Sequence, residues 1–433
     1  MMKKEFQIGS RIIGEGHPAY IIAEMSANHA GSIERAKEII RAAKESGADC
    51  IKIQTYTPDT ITINCYNEYF QIEKGTWEGE NLYGLYGKAY TPWEWQQELK
   101  EEADRVGLDF LSTPFDPTAV DFLEGIGLEF YKIASLELVD IPLISYVASK
   151  GKPIIMSTGM ATFEEIEEAV AAVKEAGNDR LVLMKCSSAY PADPADMHLS
   201  TIADLREKMN LPIGLSDHSM GSMSAATAVA LGACVIEKHF CISREIENPD
   251  SSFSMNPEEF AQMVKDVRSV EAALGKPTYG VCKQEESNYG FRRSLFAVKD
   301  IAKGEIFTAE NVRSIRPSHG MKPVYIKDIL GLKAGKALAF GTPLTFDALE
   351  KDAELFLTSD DEVKKICESR KDTGKKAFCI QNKITLDMIR QMEPARIYIC
   401  NYNHEILEEI MVAMKDKVEV FSTPQQLAAG LEV

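Results

Sequence analysis

Residues 19–56 read AYIIAEMSANHAGSIERAKEIIRAAKESGADCIKIQTY, and this stretch decides the fold. Apolar runs at 19–26 and 50–56 predict two buried β-strands, and apolar residues recur with the period of a helix between them. Strands that are apolar on both faces and alternate with helices are typical of a parallel sheet covered on both sides. The stretch therefore predicts one β/α unit.

The same unit recurs along the chain as far as residue 240. Most of the intervals between the apolar runs carry a helical pattern. The strand candidates are 19–26, 50–56, 109–115, 130–135, 153–158, 181–187, 213–218 and 234–240. Eight such units predict an α/β chain with a closed (β/α)8 TIM barrel.

One interval, residues 57–91, is unusually long and is rich in Tyr, Asn and Gly. It leaves the C-terminal end of the second strand, which is the catalytic face of such barrels. Long loops in compact domains are usually functional. We predict a substrate lid here, with a surface insertion or an oligomer contact as the alternative.

The pattern changes after the barrel, which is predicted to span residues 1–275. Residues 276–289 are predicted to be a linker because Gly, Pro, Lys, Glu and Asn interrupt the helical pattern. Short β-rich pieces separated by Gly and Pro turns predict a small domain over 290–350. Residues 351–433 predict a C-terminal α/β appendage of unknown role.

Composition excludes several classes of partner. The formal net charge is -18, which argues against a nucleic-acid binder or a protein of anionic membranes. The N-terminus lacks an apolar signal segment, and the nine cysteines include no CxxC pair. We therefore expect free thiols in a cytoplasmic protein. An anionic substrate would need a local cluster of Lys or Arg.

Polar residues end all eight predicted strands, where a barrel carries its chemistry. Hydroxyls and lysines predominate, and together they suit a phosphate group. The ring includes Glu24, Lys52, Gln54, Thr113, Lys132, Ser135, Ser157, Ser188, Ser216, His218, Glu237 and His239. This cluster predicts a phosphorylated substrate.

Two histidines, His218 and His239, end adjacent strands and are candidates for the ligands of one divalent metal ion. Two protein ligands would leave positions open for substrate and water. The alternative is one hydrogen-bonded and one space-filling histidine. Glu24 and Glu237 are candidates for a general base and a substrate anchor, or for structural salt bridges with Lys52 or Lys132.

Several motifs occur in the order found in the sialic acid synthase family. They are IIAEMSANHAGS, IKIQTYTPDT, STPFD, YKIAS, STGMAT, GLSDHS, IEKHF and FRRSL. Over about residues 6–350 the chain resembles this family. AYTPWEW and the GTWEG and LYGLYG motifs of residues 57–91 resemble its bacterial pseudaminic acid synthase branch.

The resemblance implies a barrel followed by a small antifreeze-like (SAF) domain, in a domain-swapped homodimer. It also implies a transferase reaction, in which phosphoenolpyruvate condenses with 2,4-diacetamido-2,4,6-trideoxy-altrose and water to give pseudaminic acid and phosphate. Neuraminate or legionaminate synthesis is the alternative within the family. A metal-dependent aldolase that uses pyruvate and a non-catalytic sugar-binding barrel are the alternatives outside it.

The resemblance also assigns roles to residues. Glu24 matches the residue that activates the attacking water, and His218 and His239 match the ligands of Mn²⁺ or Mg²⁺, with Co²⁺ as a third option. The phosphoenolpyruvate contacts would be Lys52, Thr113, Lys132, Ser135, Ser157, Ser188 and Ser216. The sugar contacts would be Gln54, Tyr190, Glu237, Asp250 and, from the partner's small domain, Arg316.

Overall fold

The computed structural model of the chain describes residues 2–351, 354–372, 377–381, 384–400, 402 and 406–431. It forms two compact units, Met1–Pro277 and Thr278–Val433. The predicted domain boundaries at 275, 289 and 350 remain predictions.

The strands of the first unit form a hairpin and a barrel. The hairpin comprises β1 (Glu5–Ile8) and β2 (Arg11–Gly14). The barrel comprises β3 (Tyr20–Glu24), β4 (Cys50–Thr55), β5 (Asp109–Pro114), β6 (Tyr131–Ile133), β7 (Ile154–Ser157), β8 (Leu181–Cys186), β9 (Ile213–Asp217) and β10 (Val235–His239). Every predicted barrel strand is therefore confirmed.

The barrel closes because β10 pairs in parallel with both β9 and β3. This register brings polar residues to one level at the C-terminal ends. Glu24 lies opposite both Lys52 on β4 and His239 on β10, and Glu237 lies opposite Ser216 on β9.

The first unit has ten α-helices within its described residues, 2–277. They are α1 (Ile33–Glu45), α2 (Pro58–Ile61), α3 (Leu82–Ala89), α4 (Trp93–Val106), α5 (Pro117–Gly125), α6 (Ile141–Ser149), α7 (Phe163–Glu175), α8 (Thr201–Met209), α9 (Met223–Ala230) and α10 (Pro257–Leu274). All but α2 and α3 cover the outside of the barrel. Side chains cap the starts of several of them. Before α7, for example, Thr162 and Glu165 form a reciprocal capping box.

The segment 57–91, called the lid below, is more regular than predicted, since α2 and α3 lie within it. Gly84 and Gly87 obscure α3 in the sequence because glycine disfavours helices. The Asn81 side chain starts the helix by accepting from the Tyr83 amide at 3.1 Å.

The β1–β2 hairpin was not predicted. Its sequence, EFQIGSRIIG, carries the alternation and the glycine turn of a hairpin. Phe6, Ile8 and Ile13 pack in one apolar cluster with barrel residues such as Tyr20, so the hairpin extends the barrel core.

The second unit has six strands and six helices in its described part. The strands are β11 (Ser294–Ala297), β12 (Val312–Ile315), β13 (Glu354–Thr358), β14 (Ala377–Ile380), β15 (Arg396–Cys400) and β16 (Val418–Phe421). The helices are α11 (Glu286–Tyr289), α12 (Ile326–Ile329), α13 (Asp361–Asp372), α14 (Leu386–Met392), α15 (Leu407–Ala413) and α16 (Pro424–Leu431).

The appendage is an α/β layer, as the sequence predicts. Its sheet is parallel, in the order β14-β13-β15-β16. One apolar core joins it to the β-rich domain, since Leu295, Phe307 and Phe346 cluster with Leu355 and Ile397. The two parts were predicted as separate domains, because contacts between residues far apart in the sequence leave no local pattern.

Candidate active site

Residues near the C-terminal ends of the strands alternate between the barrel interior and the surrounding helices, because successive strand residues face opposite sides. Ser216 and Glu237 line the interior. Asp217 and Lys238 pair outside it at 2.7 Å, with Lys238 also donating to Gly221 O. The inward positions carry the predicted site.

A cavity of about 480 Å³ opens at this end of the barrel. Thirteen of the fifteen predicted site residues line it. They are Lys52, Gln54, Thr113, Lys132, Ser135, Ser157, Ser188, Tyr190, Ser216, His218, Glu237, His239 and Asp250. Glu24 and Arg316 do not line it. Arg316 belongs to the second unit, where it lines a separate cavity with Asn288 and Arg292.

A buried ion-pair cluster occupies the floor of the cavity. Glu237 Oε1 accepts from Lys52 Nζ at 2.6 Å and from Ser216 Oγ at 3.1 Å, and it lies 3.5 Å from Lys132 Nζ. Burial would raise the pKa of Glu237, but the positive charges of Lys132 and Lys52 outweigh it and hold the pKa well below its usual value. Burial lowers the pKa of Lys52 to about 7.

Glu24 is fully buried beside this cluster and shares Lys52 with it. Its Oε1 accepts from Gln54 Nε2 at 3.1 Å, and its Oε2 lies 3.0 Å from Lys52 Nζ. Oε2 makes no hydrogen bond within the described part of the chain. The salt-bridge alternative raised for Glu24 and Glu237 is therefore present in the structure, and Glu24 Oε2 remains free to accept a further hydrogen bond.

Hydroxyl groups line the wall formed by β5, β7 and the loops after β6 and β8. Thr113 Oγ1 and Ser157 Oγ are buried and have no hydrogen-bond partner among the described residues. Ser135 Oγ accepts from the Gly159 amide at 3.1 Å. A Cβ at Gly159 would lie 2.3 Å from Ser188 Oγ, so glycine permits this close packing. Unsatisfied buried hydroxyls are suited to donate to a bound anion.

The two histidines stand together, with ring centroids 5.3 Å apart. His218 Nδ1 lies 2.9 Å from Ser187 O. This contact occupies Nδ1 and leaves Nε2 as the ring nitrogen available to a metal. His239 Nδ1 is buried without a partner in the described residues. Burial and the neighbouring His218 hold the pKa of His239 well below its usual value, so His239 is neutral, the form in which imidazole binds metals.

Aromatic rings surround this pair. Tyr190 stacks at 4.2 Å from the His218 ring, and Phe253 lies 5.0 Å from His239. Nearby, Asp250 Oδ2 accepts from the Ala27 amide at 3.1 Å, and burial raises the pKa of Asp250. Tyr190 and Asp250 both line the cavity, and their role as sugar contacts stays a prediction.

Glu137 is a cavity residue that sequence reasoning missed. It lies in the 3₁₀ turn Ser135–Val139 after β6, and its Oε2 is buried without a hydrogen-bond partner in the described chain. Burial raises the pKa of Glu137 to about 7. The preceding motif, YKIAS, marks the strand end, but a Glu two residues beyond it resembles an ordinary turn residue.

Cys186 is a second cavity residue that the sequence did not predict. It lines the cavity, and its Sγ lies 3.9 Å from His218 Nδ1.

Trp77 of the lid lines the cavity, and its indole Nε1 donates to Pro249 O at 2.9 Å. The lid therefore bounds the cavity, in the position predicted for a substrate lid.

Comparison with known proteins agrees with this geometry. Residues 39–279 match the NeuB family, and residues 292–350 match the SAF domain. The chain belongs to the NeuB family. This confirms the predicted membership of the sialic acid synthase family, which is metal-dependent.

Relatives within the NeuB family cover most of the chain. A pseudaminic acid synthase of Campylobacter jejuni is 48% identical over 325 residues, 75% of this chain and 95% of the relative. One from Helicobacter pylori is 43% identical, over 77% of this chain and 98% of the relative. The crystal structure of an N-acetylneuraminic acid synthetase from Leptospira borgpetersenii, in complex with citrate, has 32% identity and a TM-score of 0.59, covering 66% of this chain and 95% of that one.

No helix in the described residues is long and apolar enough to cross a membrane. The appendage lies beyond the SAF match, which ends at residue 350.

Proposed function

We propose that the chain is a pseudaminic acid synthase, which condenses phosphoenolpyruvate with 2,4-diacetamido-2,4,6-trideoxy-altrose and water to give pseudaminic acid and phosphate. The observation that carries this proposal is a barrel cavity lined by two lysines, unpaired hydroxyls and a histidine pair, in a chain that covers 95% of a pseudaminic acid synthase. A cytoplasmic location follows from the use of phosphoenolpyruvate.

The hydroxyl wall and the lysines are suited to phosphoenolpyruvate. Lys132 supplies a buried ammonium group, whose charge is shared with Glu237 at 3.5 Å, and the hydroxyls of Thr113 and Ser157 have no hydrogen-bond partner among the described residues. Ser135 and Ser188 add two further hydroxyls and Lys52 a second cation, and the Ser216 hydroxyl, which donates to Glu237, lines the same cavity. Charge-assisted hydrogen bonds of this kind are about twice as strong as neutral ones.

The histidine pair fits a divalent metal. His239 Nδ1 has no partner in the described residues, and the ring is neutral. No group of three or more His, Cys, Asp or Glu side chains in the described residues could hold a metal, so an ion at His218 and His239 would take its other ligands from substrate and water. A bound Mn²⁺ or Mg²⁺ would supply Lewis acidity toward the sugar aldehyde.

The carboxylates supply the proton transfers. C3 of phosphoenolpyruvate bonds to the aldehyde carbon, and Glu137, with its pKa near 7, donates a proton to the aldehyde oxygen. Water then adds at C2 and gives its proton to Glu24 Oε2. The C2–O bond to the phosphate then breaks, the C2 hydroxyl passes its proton to the departing phosphate, and C2 becomes the ketone of the product. Positioned acids and bases of this kind contribute roughly 10²- to 10⁴-fold each.

The second unit is assigned a role across a dimer. We propose a domain-swapped homodimer in which Arg316 of one protomer binds the N-acetyl group in its partner's site. Arg316 is exposed and shares a cavity with Arg292 and Arg293. An exposed arginine cluster in an acidic chain is suited to such a contact.

One assay tests the function. Phosphate release from phosphoenolpyruvate is measured with the altrose derivative, N-acetylmannosamine and the sugar precursor of legionaminate, each with and without Mn²⁺. Release with the altrose derivative at the highest kcat/KM is expected. Faster release with either other sugar would reassign the chain within the family, and no release with any of them would overturn the synthase proposal.

A further inference from the structure

The walls of the cavity differ sharply in polarity. The barrel contributes lysines, carboxylates, hydroxyls and imidazoles, as described above. The lid contributes Ile61, Ile72, Trp77, Leu82, Leu85 and Tyr86. None of the Asp, Glu or Lys side chains of the fully described lid lines the cavity, although the lid contains many of them.

This apolar lid wall is held in place by contacts to the barrel loops and within the lid. Trp77 donates to Pro249 O, Thr76 donates its hydroxyl proton to Tyr190 O, and the Ile72 amide donates to Glu80 O at 3.0 Å. Trp77 also lies 5.5 Å from the Tyr190 ring. The apolar side chains are thus presented by a folded segment.

The polar groups of the wall are few. The Trp77 indole N–H is already donated to Pro249 O, which leaves the Tyr86 hydroxyl. A substrate hydroxyl placed against the wall would therefore lose water without regaining most of its hydrogen bonds, and such burial is unfavourable. A methyl group there would instead gain by leaving water.

We propose that the lid wall of Ile61, Ile72 and Leu82 binds the C6 methyl end of the sugar and selects a 6-deoxy sugar over its 6-hydroxy analogue. The inference rests on the proposed function, because that function sets the aldehyde at the histidine pair and so turns C6 away from the barrel floor. Specificity for the deoxy sugar then lies in the lid, apart from the groups that perform the reaction.

The test uses sugars that cannot react. The alditols of the 6-deoxy sugar and of its 6-hydroxy analogue lack the aldehyde, and each is titrated calorimetrically into the full chain with phosphoenolpyruvate and Mn²⁺ present. We expect the 6-deoxy alditol to bind about 10-fold more tightly to the unmodified chain. Ile72→Ser and Leu82→Ser should each reduce this preference several-fold while leaving phosphoenolpyruvate affinity unchanged.

Ile63→Ser is the matched control, because Ile63 belongs to the lid but is 58% exposed and does not line the cavity. It should keep the full preference. Equal binding of the two alditols to the unmodified chain, or an unchanged preference in both variants, would overturn the proposal. Phosphate release by the unmodified chain reports separately on the synthase function, so failure of either idea can be recognised.

Discussion

Lys52 and Glu237 form a buried ion pair, with Nζ and Oε1 2.6 Å apart, although their strands are separated by β3. Glu24 on that intervening strand lies 3.0 Å from the same ammonium group, and Lys132 lies 3.5 Å from the same Glu237 oxygen. Two lysines and two carboxylates thus share one buried floor. When all four are ionised their charges cancel, so an anionic substrate needs a further positive charge.

Removing the central carboxylate should destabilise the barrel. In Glu237→Gln the two lysines lose a counter-charge that is 4% exposed, and breaking a buried pair costs about 3–5 kcal/mol. We expect that loss in the free energy of unfolding, measured by chemical denaturation. Added phosphoenolpyruvate should recover more stability in the variant than in the unmodified chain, since its anionic groups replace the missing charge.

Asp104→Asn is the control for this loss, because the Lys100–Asp104 pair lies on the surface of α4. Exposed pairs contribute at most about 1 kcal/mol. If Glu237→Gln costs no more than Asp104→Asn, the floor does not depend on this pair.

Glu24→Gln should separate binding from turnover. The amide keeps the shape of Glu24 and its place beside Gln54, but it cannot take a proton from water. We expect a fall in kcat of roughly 10²- to 10⁴-fold, measured by phosphate release, while phosphoenolpyruvate binds at least as tightly as it does to the unmodified chain, because the floor loses one negative charge. Full activity in this variant would exclude Glu24 as the base.

Metal and phosphoenolpyruvate should bind cooperatively, since the neutral floor leaves the substrate charge to be balanced by the ion. After chelation, Mn²⁺ should tighten phosphoenolpyruvate binding by at least about 5-fold, and phosphoenolpyruvate should tighten Mn²⁺ binding by the same factor. Calorimetric titration in both orders measures this. His239→Asn should abolish the coupling, whereas His198→Asn, at an exposed position, should not. Independent binding of the two ligands would contradict the assignment.

The sequence predicted those parts of the fold that show as a pattern of apolar and polar residues within a short stretch of chain. The eight barrel strands are continuous apolar runs, and the polar residues at their ends converge because parallel strands end on one face. Glu137 was missed because a turn carboxylate becomes unusual only when the surrounding chain buries it. The core shared by the β-rich domain and the appendage was missed for a related reason, since it joins residues far apart in sequence.

Glu137→Gln should change the pH dependence of the reaction. Burial raises the pKa of Glu137 from 4.5 to about 7, so the acid is available below pH 7 and is lost as the pH rises. The variant should lose most of its kcat, and the residual rate should lack the decline near pH 7. Exposed Glu129→Gln is the control. A decline near pH 7 that persists in Glu137→Gln would assign it to another group.

The raised pKa of Glu137 also makes the free energy of unfolding depend on pH. A raised pKa means that the folded chain binds a proton more tightly than the unfolded chain. This contribution is complete below pH 4.5 and is lost as the pH rises through about 7. The unfolding free energy of Glu137→Gln should therefore fall less steeply across this window than that of the unmodified chain, as measured by denaturant titrations at several pH values.

A mixture of two impaired variants, assayed at a sugar concentration well below the KM of Arg316→Ala, tests the proposed dimer. Arg316→Ala should raise the KM for the sugar more than that for phosphoenolpyruvate, and Arg313→Ala, an exposed neighbour on β12, should change neither. If Arg316 serves the partner's barrel, a mixed dimer of Glu24→Gln and Arg316→Ala chains contains one intact site. Random reassociation of equal amounts should then restore about a quarter of the sites. If Arg316 serves its own barrel, mixed dimers contain only defective sites, and activity stays at the mean of the two variants.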